Sequence, residues 1–291
     1  MNAKKLALGT VQFGLNYGVS NSAGQVPPEE VGRILACAQN GGVDLLDTAE
    51  GYGNSEAVLG AQFLKPFRLV TKIAGLKERG VPATGLENFL LKSVEDSLYR
   101  LRQKKTHAIL LHKEVDLLEY GAPLWRALEE IKKRGLTEKV GFSTHWPEKF
   151  RQITKSFVPD IIQCPYNLLD HRYFSAELPE FYRRQRIEVH TRSAFLQGLL
   201  FLGAFPEKMK FAESTLVAWR ELAAEIGCTL PQLSLCYALR QPLAEKAVIG
   251  VTSAKELAEI LAWPEPAKLP MEEIAALAEK VPLKVIDPTL W

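Results

Sequence analysis

The sequence predicts the α/β fold class and, within it, a (β/α)₈ TIM barrel formed as a single domain by residues 1–291. Eight short runs along the chain are apolar throughout their length, which is typical of parallel strands buried on both faces. Segments with apolar residues at helical spacing lie between these runs. Eight alternating units in a chain of 291 residues fit a closed barrel better than an open doubly wound sheet.

The predicted strands are rich in leucine and β-branched residues. In chain order they are KLALGT (5–10), VDLLDTA (43–49), RLVTKI (68–73), HAILLH (107–112), KVGFST (139–144), DIIQCPY (160–166), IEVHTR (187–192) and KAVIGV (246–251).

The predicted helices follow a spacing that places apolar residues on one face. In residues 27–42, proline and acidic residues mark the helix start, glycines mark its end, and Val31, Ile34 and Leu35 share a face. The other helical patterns occupy residues 54–64, 90–101, 122–135, 147–155, 177–186, 214–227, 230–241 and 253–262.

Composition and charge exclude several classes of function. The net charge is +2 and no lysine and arginine block occurs, so we expect neither nucleic acid nor a membrane as partner. No apolar stretch approaches the roughly 18 residues that span a bilayer, and we expect the short, glycine-interrupted apolar segment near the N-terminus not to act as a signal peptide. The four cysteines form no Cys-x-x-Cys pair, so we predict no bound metal and a reducing, cytoplasmic location.

Polar residues end three consecutive predicted strands. The run GGVDLLDTAEGYG ends the second strand with Asp47 and places Tyr52 in the following loop, while Lys72 and His112 end the third and fourth strands. In a (β/α)₈ barrel the C-terminal strand ends form one rim, where active sites lie. Each residue alone has a purely structural explanation, such as a loop cap or a solvated lysine. Four of them at one rim favour a functional site.

The chemistry of these four side chains is coherent. A tyrosine phenol has an ordinary pKa of about 10, too high for efficient proton donation near neutral pH. A lysine ammonium beside a phenol favours the ionised form, and a buried aspartate would keep that lysine charged and fixed. An imidazole could orient a carbonyl oxygen by hydrogen bonding. The set therefore predicts a proton donor directed at a carbonyl group that receives a hydride.

These residues resemble the aldo-keto reductases. The motifs D-T-A-x-x-Y-G, T-K after the third strand and L-L-H after the fourth stand in that family's order and spacing, and the resemblance covers most of the chain. It implies an NAD(P)H-dependent oxidoreductase that reduces an aldehyde or ketone, or runs the reverse reaction. Tyr52 would be the general acid and base, Lys72 and Asp47 would tune it, and His112 would orient the substrate.

The resemblance also implies a cofactor, NADPH with NADH possible, and residues that bind it. Ser143 and Gln163 match the residues that hydrogen-bond the nicotinamide amide, and Arg192 stands where many members stack a tyrosine on the ring. The other matched positions lie in the loops after the seventh and eighth strands: Ser193, Phe195, Leu196, Gly198, Gly250, Thr252, Ser253, Lys255 and Glu259.

The chain departs from the family's pattern near both ends of this site. Thr144 replaces the asparagine that usually follows Ser143, and Glu256 stands where an arginine often contacts the 2′-phosphate of NADPH. We therefore expect weak discrimination between cofactors. NADPH would be held through Lys255, Ser253 and the helix N-terminus, with NADH used within roughly one or two orders of magnitude.

The sequence predicts residues of the substrate pocket but does not determine the substrate. Phe13 and Tyr17 lie in the long connection 11–27, and His145 and Trp146 follow the fifth strand; all four are predicted to line the substrate pocket. The tail after Trp263 is short, so we expect little of it to fold over the mouth of the pocket. Sugars, steroids, keto acids and simple aldehydes stay open as substrates, as does the oligomeric state.

Two alternative functions stay open at this point. A barrel lyase could form a Schiff base on Lys72, which requires a desolvated lysine rather than one beside an acid. A regulatory barrel could bind the cofactor and do little chemistry, because a fold does not imply a function.

Overall fold

Eight parallel strands close into a barrel in chain order, with the last strand pairing with the first, in the computed structural model, which describes residues 2–291. The strands are β1 Leu6–Gly9, β2 Leu45–Asp47, β3 Arg68–Ile73, β4 Thr106–Leu111, β5 Thr137–Ser143, β6 Ile161–Pro165, β7 Glu188–Arg192 and β8 Ala244–Gly250. Each one falls on a run that the sequence predicts as a strand. The predicted (β/α)₈ barrel is therefore confirmed.

Helices surround the barrel and follow each strand. Among residues 2–291 they are α1 Val11–Gly14, α2 Pro28–Asn40, α3 Ser55–Gly60, α4 Leu86–Leu101, α5 Val115–Lys133, α6 Pro147–Thr154, α7 Leu178–Gln185, α8 Glu213–Ile226, α9 Leu230–Leu239, α10 Ala254–Ala262, α11 Met271–Ala278 and α12 Leu283–Ile286. Short 3₁₀ turns lie at Ala3–Lys5, Arg172–Phe174, Leu196–Phe201, Glu207–Ala212 and Pro288–Leu290.

The helices pack one face against the barrel as their spacing predicts. Val31, Ile34 and Leu35 of α2 are all buried, and the helix ends at Asn40 with Gly41 following. Helix α5 is broken at Gly121, whose backbone angles are φ 57° and ψ −136°, with Pro123 just beyond. The break explains why the sequence pattern indicates a helix only from residue 122 onward, since glycine and proline interrupt the spacing.

The barrel interior changes in character along its length. A separate cluster of buried apolar side chains from β1 to β4 and β6 fills part of it, including Ala7, Leu45 and Val70. Nearer the C-terminal strand ends, the interior positions are occupied by polar groups such as Asp47 and Lys72. The apolar cluster supports a polar layer at the rim, where the loops that follow the strands meet.

The tail after Trp263 packs against the barrel and reaches the loop after β5. Residues beyond α10 form α11 and α12, and their side chains Ile274 and Val285 are fully buried in the main core cluster. This packing carries Asp287 to the loop after β5, where its carboxylate lies 3.0 Å from Nε2 of His145. The tail reaches the rim because two short apolar helices anchor it along the way.

No single helix among residues 2–291 is long and apolar enough to cross a membrane; one pair, residues 207–226 with 230–239, meets the length and composition requirement only together and across a bend of 79°. In the same residues, no three His, Cys, Asp or Glu side chains are grouped so that they could hold a metal ion.

Gly14 allows the first loop to approach the segment that carries Tyr52. A Cβ atom at position 14 would lie 1.8 Å from the carbonyl oxygen of Tyr52 and 2.6 Å from the amide nitrogen of Ser55. Both neighbours are backbone atoms, which cannot move aside without shifting the loop. The two segments can therefore pack this closely only with glycine at position 14.

We expect Gly14→Ala to lower the free energy of unfolding by about 1–3 kcal/mol, the usual cost of overpacking a close contact. Gly203→Ala is the matched control, because no atom lies within 4 Å of a Cβ placed there. Urea denaturation of both variants measures the effect. Equal stability of the two variants would show that the loops separate without cost.

Candidate active site

Four side chains predicted from the strand ends converge at the rim. Asp47 is the last residue of β2, Lys72 lies near the end of β3, and His112 directly follows β4. The Lys72 ammonium donates hydrogen bonds to Asp47 Oδ1 at 2.5 Å, to the Thr48 carbonyl at 3.0 Å and to the Tyr52 hydroxyl at 3.2 Å. The His112 ring meets the Tyr52 ring edge-on, with centroids 5.5 Å apart. The structure thus brings together all four residues.

The charges of this group follow from its burial and contacts. Burial alone would lower the pKa of Lys72, but the adjacent Asp47 carboxylate and Tyr52 phenol raise it above the ordinary value, so the lysine is an ammonium. Burial, with smaller effects from Lys72 and Arg192, lowers the pKa of His112 to about 3. His112 is therefore uncharged near neutral pH. The positive charge of Lys72 is balanced by Asp47.

The segment between Asp47 and Ser55 is fixed by buried hydrogen bonds. The Ser55 hydroxyl donates to the Thr10 carbonyl at 2.8 Å and also lies 3.2 Å from the Thr48 hydroxyl. The Glu50 carboxylate accepts from the Ala74 amide at 3.1 Å, which connects this loop to the end of β3. These bonds restrain the segment that carries Tyr52.

A cavity of about 390 Å³ opens beside this group and extends along the rim. Asp47, Tyr52 and Gln163 lie at one end of it, and Thr252 and Ser253 line it beyond the end of β8. Predicted site residues that line it are Tyr17, Asp47, Tyr52, Gln163, Arg192, Ser193, Phe195, Gly198, Gly250, Thr252 and Ser253. One cavity therefore joins the reactive group to the loops that follow β7 and β8.

Several predicted residues lie away from the cavity wall. Phe13 is fully buried in the hydrophobic core, so the prediction that it forms the substrate wall is not supported. Trp146 packs beneath the Arg172 guanidinium, 4.9 Å from its ring centre. Lys255 is a solvated side chain, 87% exposed, and its ammonium lies 3.9 Å from the exposed Glu259 carboxylate. Leu196, in the loop after β7, is fully buried in the main core cluster.

The predicted amide-binding positions after β5 and β6 have defined partners. Gln163 Nε2 donates to Asp47 Oδ2 at 2.7 Å, so its carbonyl oxygen stays available on the cavity side. Ser143 ends β5 and is largely buried next to it. Thr144 places its hydroxyl 2.7 Å from the Tyr173 hydroxyl in the core. Threonine at this position is thus used for packing and does not present a carboxamide to the cavity.

The loop after β7 has an unusual backbone. Ser193, Leu196 and Gln197 adopt positive φ angles of 66°, 47° and 55°, which non-glycine residues avoid. Neighbouring groups hold these conformations: the Asn167 side chain donates to the Ser193 carbonyl at 3.1 Å, and the Val19 amide donates to the Gln197 carbonyl at 2.8 Å. Strained loops fixed by their surroundings are typical of ligand sites.

The first loop completes the cavity. Residues 17–23 other than Val19 line it, opposite the loop after β7, and the contact between Val19 and Gln197 joins the two loops across it. Burial, reinforced by nearby Tyr52, raises the pKa of Tyr17 to about 12, so this second phenol in the cavity stays protonated. The long 11–27 connection therefore covers the site, as its length suggests.

Two carboxylates bind backbone amides at the N-terminal end of α10, and one of them, Glu256, lines the cavity. Glu256 Oε2 accepts from the Thr252 amide at 2.7 Å, and Glu30 Oε1 of α2 accepts from the Ala254 amide at 2.7 Å. The Ser253 hydroxyl caps the helix by accepting from the Glu256 amide at 3.1 Å. The Thr252, Ala254 and Glu256 amides, which could receive an anion there, thus already have partners.

Sequence reasoning missed the residues that act through distant contacts. Glu30, Asn167 and Asp287 each support a site loop, yet none belongs to a local motif. The turn Asp170–Arg172 was missed as well; its Asp170 carboxylate accepts two hydrogen bonds from the Arg172 guanidinium, each 2.8 Å long.

The low pKa of His112 predicts a specific pH dependence of stability. Between about pH 6.5 and pH 3 the unfolded chain binds a proton at this side chain and the folded chain does not. The free energy of unfolding should therefore decrease as the pH is lowered through that window, by at most about 1.4 kcal/mol per pH unit from this residue. Above pH 6.5 this residue should contribute no pH dependence, because it is uncharged in both states.

Comparing the wild type with His112→Gln isolates this contribution. The stability advantage of wild type over the variant, measured in urea, should shrink by about 1 kcal/mol between about pH 7.5 and pH 5.5. An advantage that stays constant over this range would mean that folding does not lower the pKa of His112.

Comparisons with known proteins agree with this geometry. Residues 5–282 match the model of the Aldo/keto reductase family. A relative in Escherichia coli (strain K12), the NADH-specific methylglyoxal reductase, is 26% identical over 263 residues, which cover 76% of this chain and 78% of that protein.

Two solved structures share the fold. An aldo-keto reductase from Bacillus halodurans in its holo form superposes with a TM-score of 0.77 at 22% identity, covering 97% of this chain and 95% of that one. The glycerol dehydrogenase from Gluconobacter oxydans superposes with a TM-score of 0.69 at 20% identity, covering 99% and 98%. At such identities these likenesses show the fold alone. The family match over residues 5–282 shows that the chain belongs to the aldo/keto reductase family, as an NAD(P)H-dependent oxidoreductase.

Proposed function

We propose that the protein reduces small aldehydes or ketones, or oxidises the corresponding alcohols, with Tyr52 as the proton donor and acceptor. The observation that carries this proposal is the hydrogen bond from the buried Lys72 ammonium to the Tyr52 hydroxyl at the end of the cavity. The ammonium stabilises the phenolate that forms when Tyr52 gives its proton to the carbonyl oxygen. Asp47 keeps the ammonium in place, and the uncharged His112 can donate a hydrogen bond that orients the same oxygen.

The residues along the cavity fit a nicotinamide dinucleotide. Gln163 offers an amide carbonyl near the reactive end, and Ser193 and Gly198 form a preshaped turn midway along the wall. Hydroxyl groups of Thr252 and Ser253 lie at the far end. When bound, the cofactor supplies the hydride. The protein residues hold it, orient the carbonyl group and transfer the proton at the Tyr52 oxygen.

The substrate class follows from the size and polarity of the reactive end. Tyr17, Tyr52 and Arg192 surround it, so a small polar carbonyl compound fits better than a large apolar one. The relative in Escherichia coli supports this choice, since it is a methylglyoxal reductase. We propose short-chain 2-oxoaldehydes and hydroxyaldehydes as the first compounds to assay.

The environment of Lys72 disfavours the lyase alternative. A Schiff base needs a neutral amine that can attack a carbonyl carbon. Lys72 is fully buried, its three donors are all used, and its pKa is raised by Asp47 and Tyr52 despite burial. The lysine is therefore suited to support a neighbouring acid.

We further propose that NADH is preferred over NADPH. A 2′-phosphate beside α10 would meet the Glu256 carboxylate in the cavity wall where it requires a cation, and the Glu30 carboxylate already occupies the Ala254 amide. Lys255, which the sequence suggests as its partner, is directed into solvent. An unphosphorylated ribose instead carries hydroxyl groups that can donate to the Glu256 carboxylate. The NADH-specific relative in Escherichia coli is consistent with this proposal.

We expect Tyr52→Phe to lower kcat by roughly 10²–10⁴-fold or more, while NADH affinity changes little, because the hydroxyl acts only on the reacting oxygen. Tyr17→Phe is the matched control, since it removes the other cavity phenol and should retain kcat within several fold. Steady-state assays with methylglyoxal and titration of NADH fluorescence provide both readouts. Near-normal turnover in Tyr52→Phe would show that another group donates the proton.

The cofactor preference is tested with kcat/KM for NADH and NADPH. We expect NADH to be favoured by about tenfold or more, and Glu30→Gln with Glu256→Gln to raise kcat/KM for NADPH by at least that factor. Glutamine keeps the acceptor oxygen for the helix amides while it removes the charge. Glu29→Gln, an exposed neighbour on α2, is the control. A wild-type preference for NADPH would refute this assignment of the two carboxylates.

A further inference from the structure

Arg192 is a cation without a carboxylate partner at the reactive end of the cavity. Its guanidinium donates to the Ser193 hydroxyl at 3.2 Å and to the Thr144 carbonyl at 3.3 Å, and no ion pair within residues 2–291 includes it. Its field reaches both His112 and Tyr17, whose pKa values it lowers. The guanidinium therefore acts on the space next to Tyr52.

A histidine and the C-terminal tail fix this guanidinium. His145 Nδ1 lies 3.3 Å from an Arg192 nitrogen, and His145 Nε2 lies 3.0 Å from Asp287 Oδ1. An arginine can only donate, so Nδ1 is the acceptor and Nε2 carries the proton that is donated to Asp287. The histidine is thus neutral, in agreement with its pKa, which burial and the nearby Arg192 lower.

The Asp287 carboxylate is well placed to anchor this chain of contacts. It is 1% exposed, and it also accepts from the Thr289 amide at 3.0 Å and the Thr289 hydroxyl at 2.7 Å. Val285 and Ile286 on the same short helix are packed in the core. The tail consequently presents a rigid acceptor to His145.

The other charges around the reactive end are compensated. Lys72 is paired with Asp47 at 2.5 Å, and Arg172 is paired with Asp170 at 2.8 Å. Glu114, which accepts from the His145 amide at 2.6 Å, has the Lys149 ammonium 3.9 Å away. His112 is uncharged near neutral pH because of its low pKa. Arg192 is then the cation whose charge a ligand at this end experiences, and Asp287 offsets it only from behind the His145 ring.

We propose that Arg192, positioned by His145 and by Asp287 of the C-terminal tail, makes the site bind the reduced cofactor more tightly than the oxidised one. This inference rests on the proposed function. Hydride transfer takes place next to Tyr52, so the nicotinamide ring must lie at this end of the cavity. The ring is neutral when reduced and positive when oxidised. A fixed cation nearby repels only the oxidised ring, and in a partly buried site such repulsion is weakly screened.

The test is to measure Kd for NADH and for NAD⁺ separately, by calorimetry on the full-length chain. We expect Kd for NAD⁺ to exceed Kd for NADH by about tenfold or more in the wild type. Arg192→Met should reduce this ratio by about tenfold, while Arg192→Lys should retain the preference because it keeps the charge. Lys113→Met is the control, since it removes a half-exposed cation paired with Glu78 at the same rim and should leave the ratio unchanged.

The role of the tail is tested with two substitutions at one position. Asp287→Ala removes the anchor, so the ratio should move toward that of Arg192→Met. Asp287→Asn keeps an acceptor for His145 and should hold the ratio at or above the wild-type value. Equal affinities for NADH and NAD⁺ in the wild type, or a ratio unaffected by Arg192→Met, would overturn the inference alone. Failure of both dinucleotides to bind would overturn the proposed function with it.

Discussion

The buried ion pair between Lys72 and Asp47 is the interaction on which the site depends. Lys72 is fully buried and Asp47 is 2% exposed, so neither charge would be tolerated there without the other. All three ammonium donors are satisfied, and the second carboxylate oxygen accepts from Gln163 at 2.7 Å. Three strands must therefore keep their relative positions for the pair to form. A shift of any one would leave a buried charge unsatisfied.

This requirement explains why the surroundings of the pair are so heavily cross-linked. Tyr52 lies in a loop, and loops are normally the mobile parts of a barrel. Here Gly14 lets the first loop pack directly against it, and Ser55 and Glu50 bind its ends to β1 and β3. The tyrosine oxygen consequently lies at hydrogen-bonding distance from a fully buried ammonium. In the proposed reaction, such preorganisation would lower the cost of reaching a transition state in which charge develops on the phenol.

The cavity walls come from segments that have no proximity in the sequence. The first loop meets the loop after β7 through Val19 and Gln197, and the C-terminal tail meets the loop after β5 through Asp287 and His145. These contacts restrain loops that contain unfavourable features, such as the positive φ angles of Ser193 and Leu196 in the loop after β7. Tertiary contacts thus supply the stability that local conformation lacks.

The sequence by itself determined the eight strands and the convergence of Asp47, Tyr52, Lys72 and His112, because both are written in local patterns. An apolar run indicates a buried strand, and a polar residue at its end lies at the rim of any closed parallel barrel. The boundaries of most helices followed from spacing and from glycine and proline for the same reason.

Only the tertiary structure decided which groups complete the site. Phe13 was predicted to line the substrate pocket but lies in the hydrophobic core, and Lys255 was predicted to bind the 2′-phosphate but is exposed to solvent. The sequence could not decide these positions, because the direction of a side chain depends on neighbours from other segments. Glu30 meets Ala254 across 224 residues, and His145 meets Asp287 across 142. No local pattern encodes such pairs, since they exist only once the barrel has closed and the tail has packed against it.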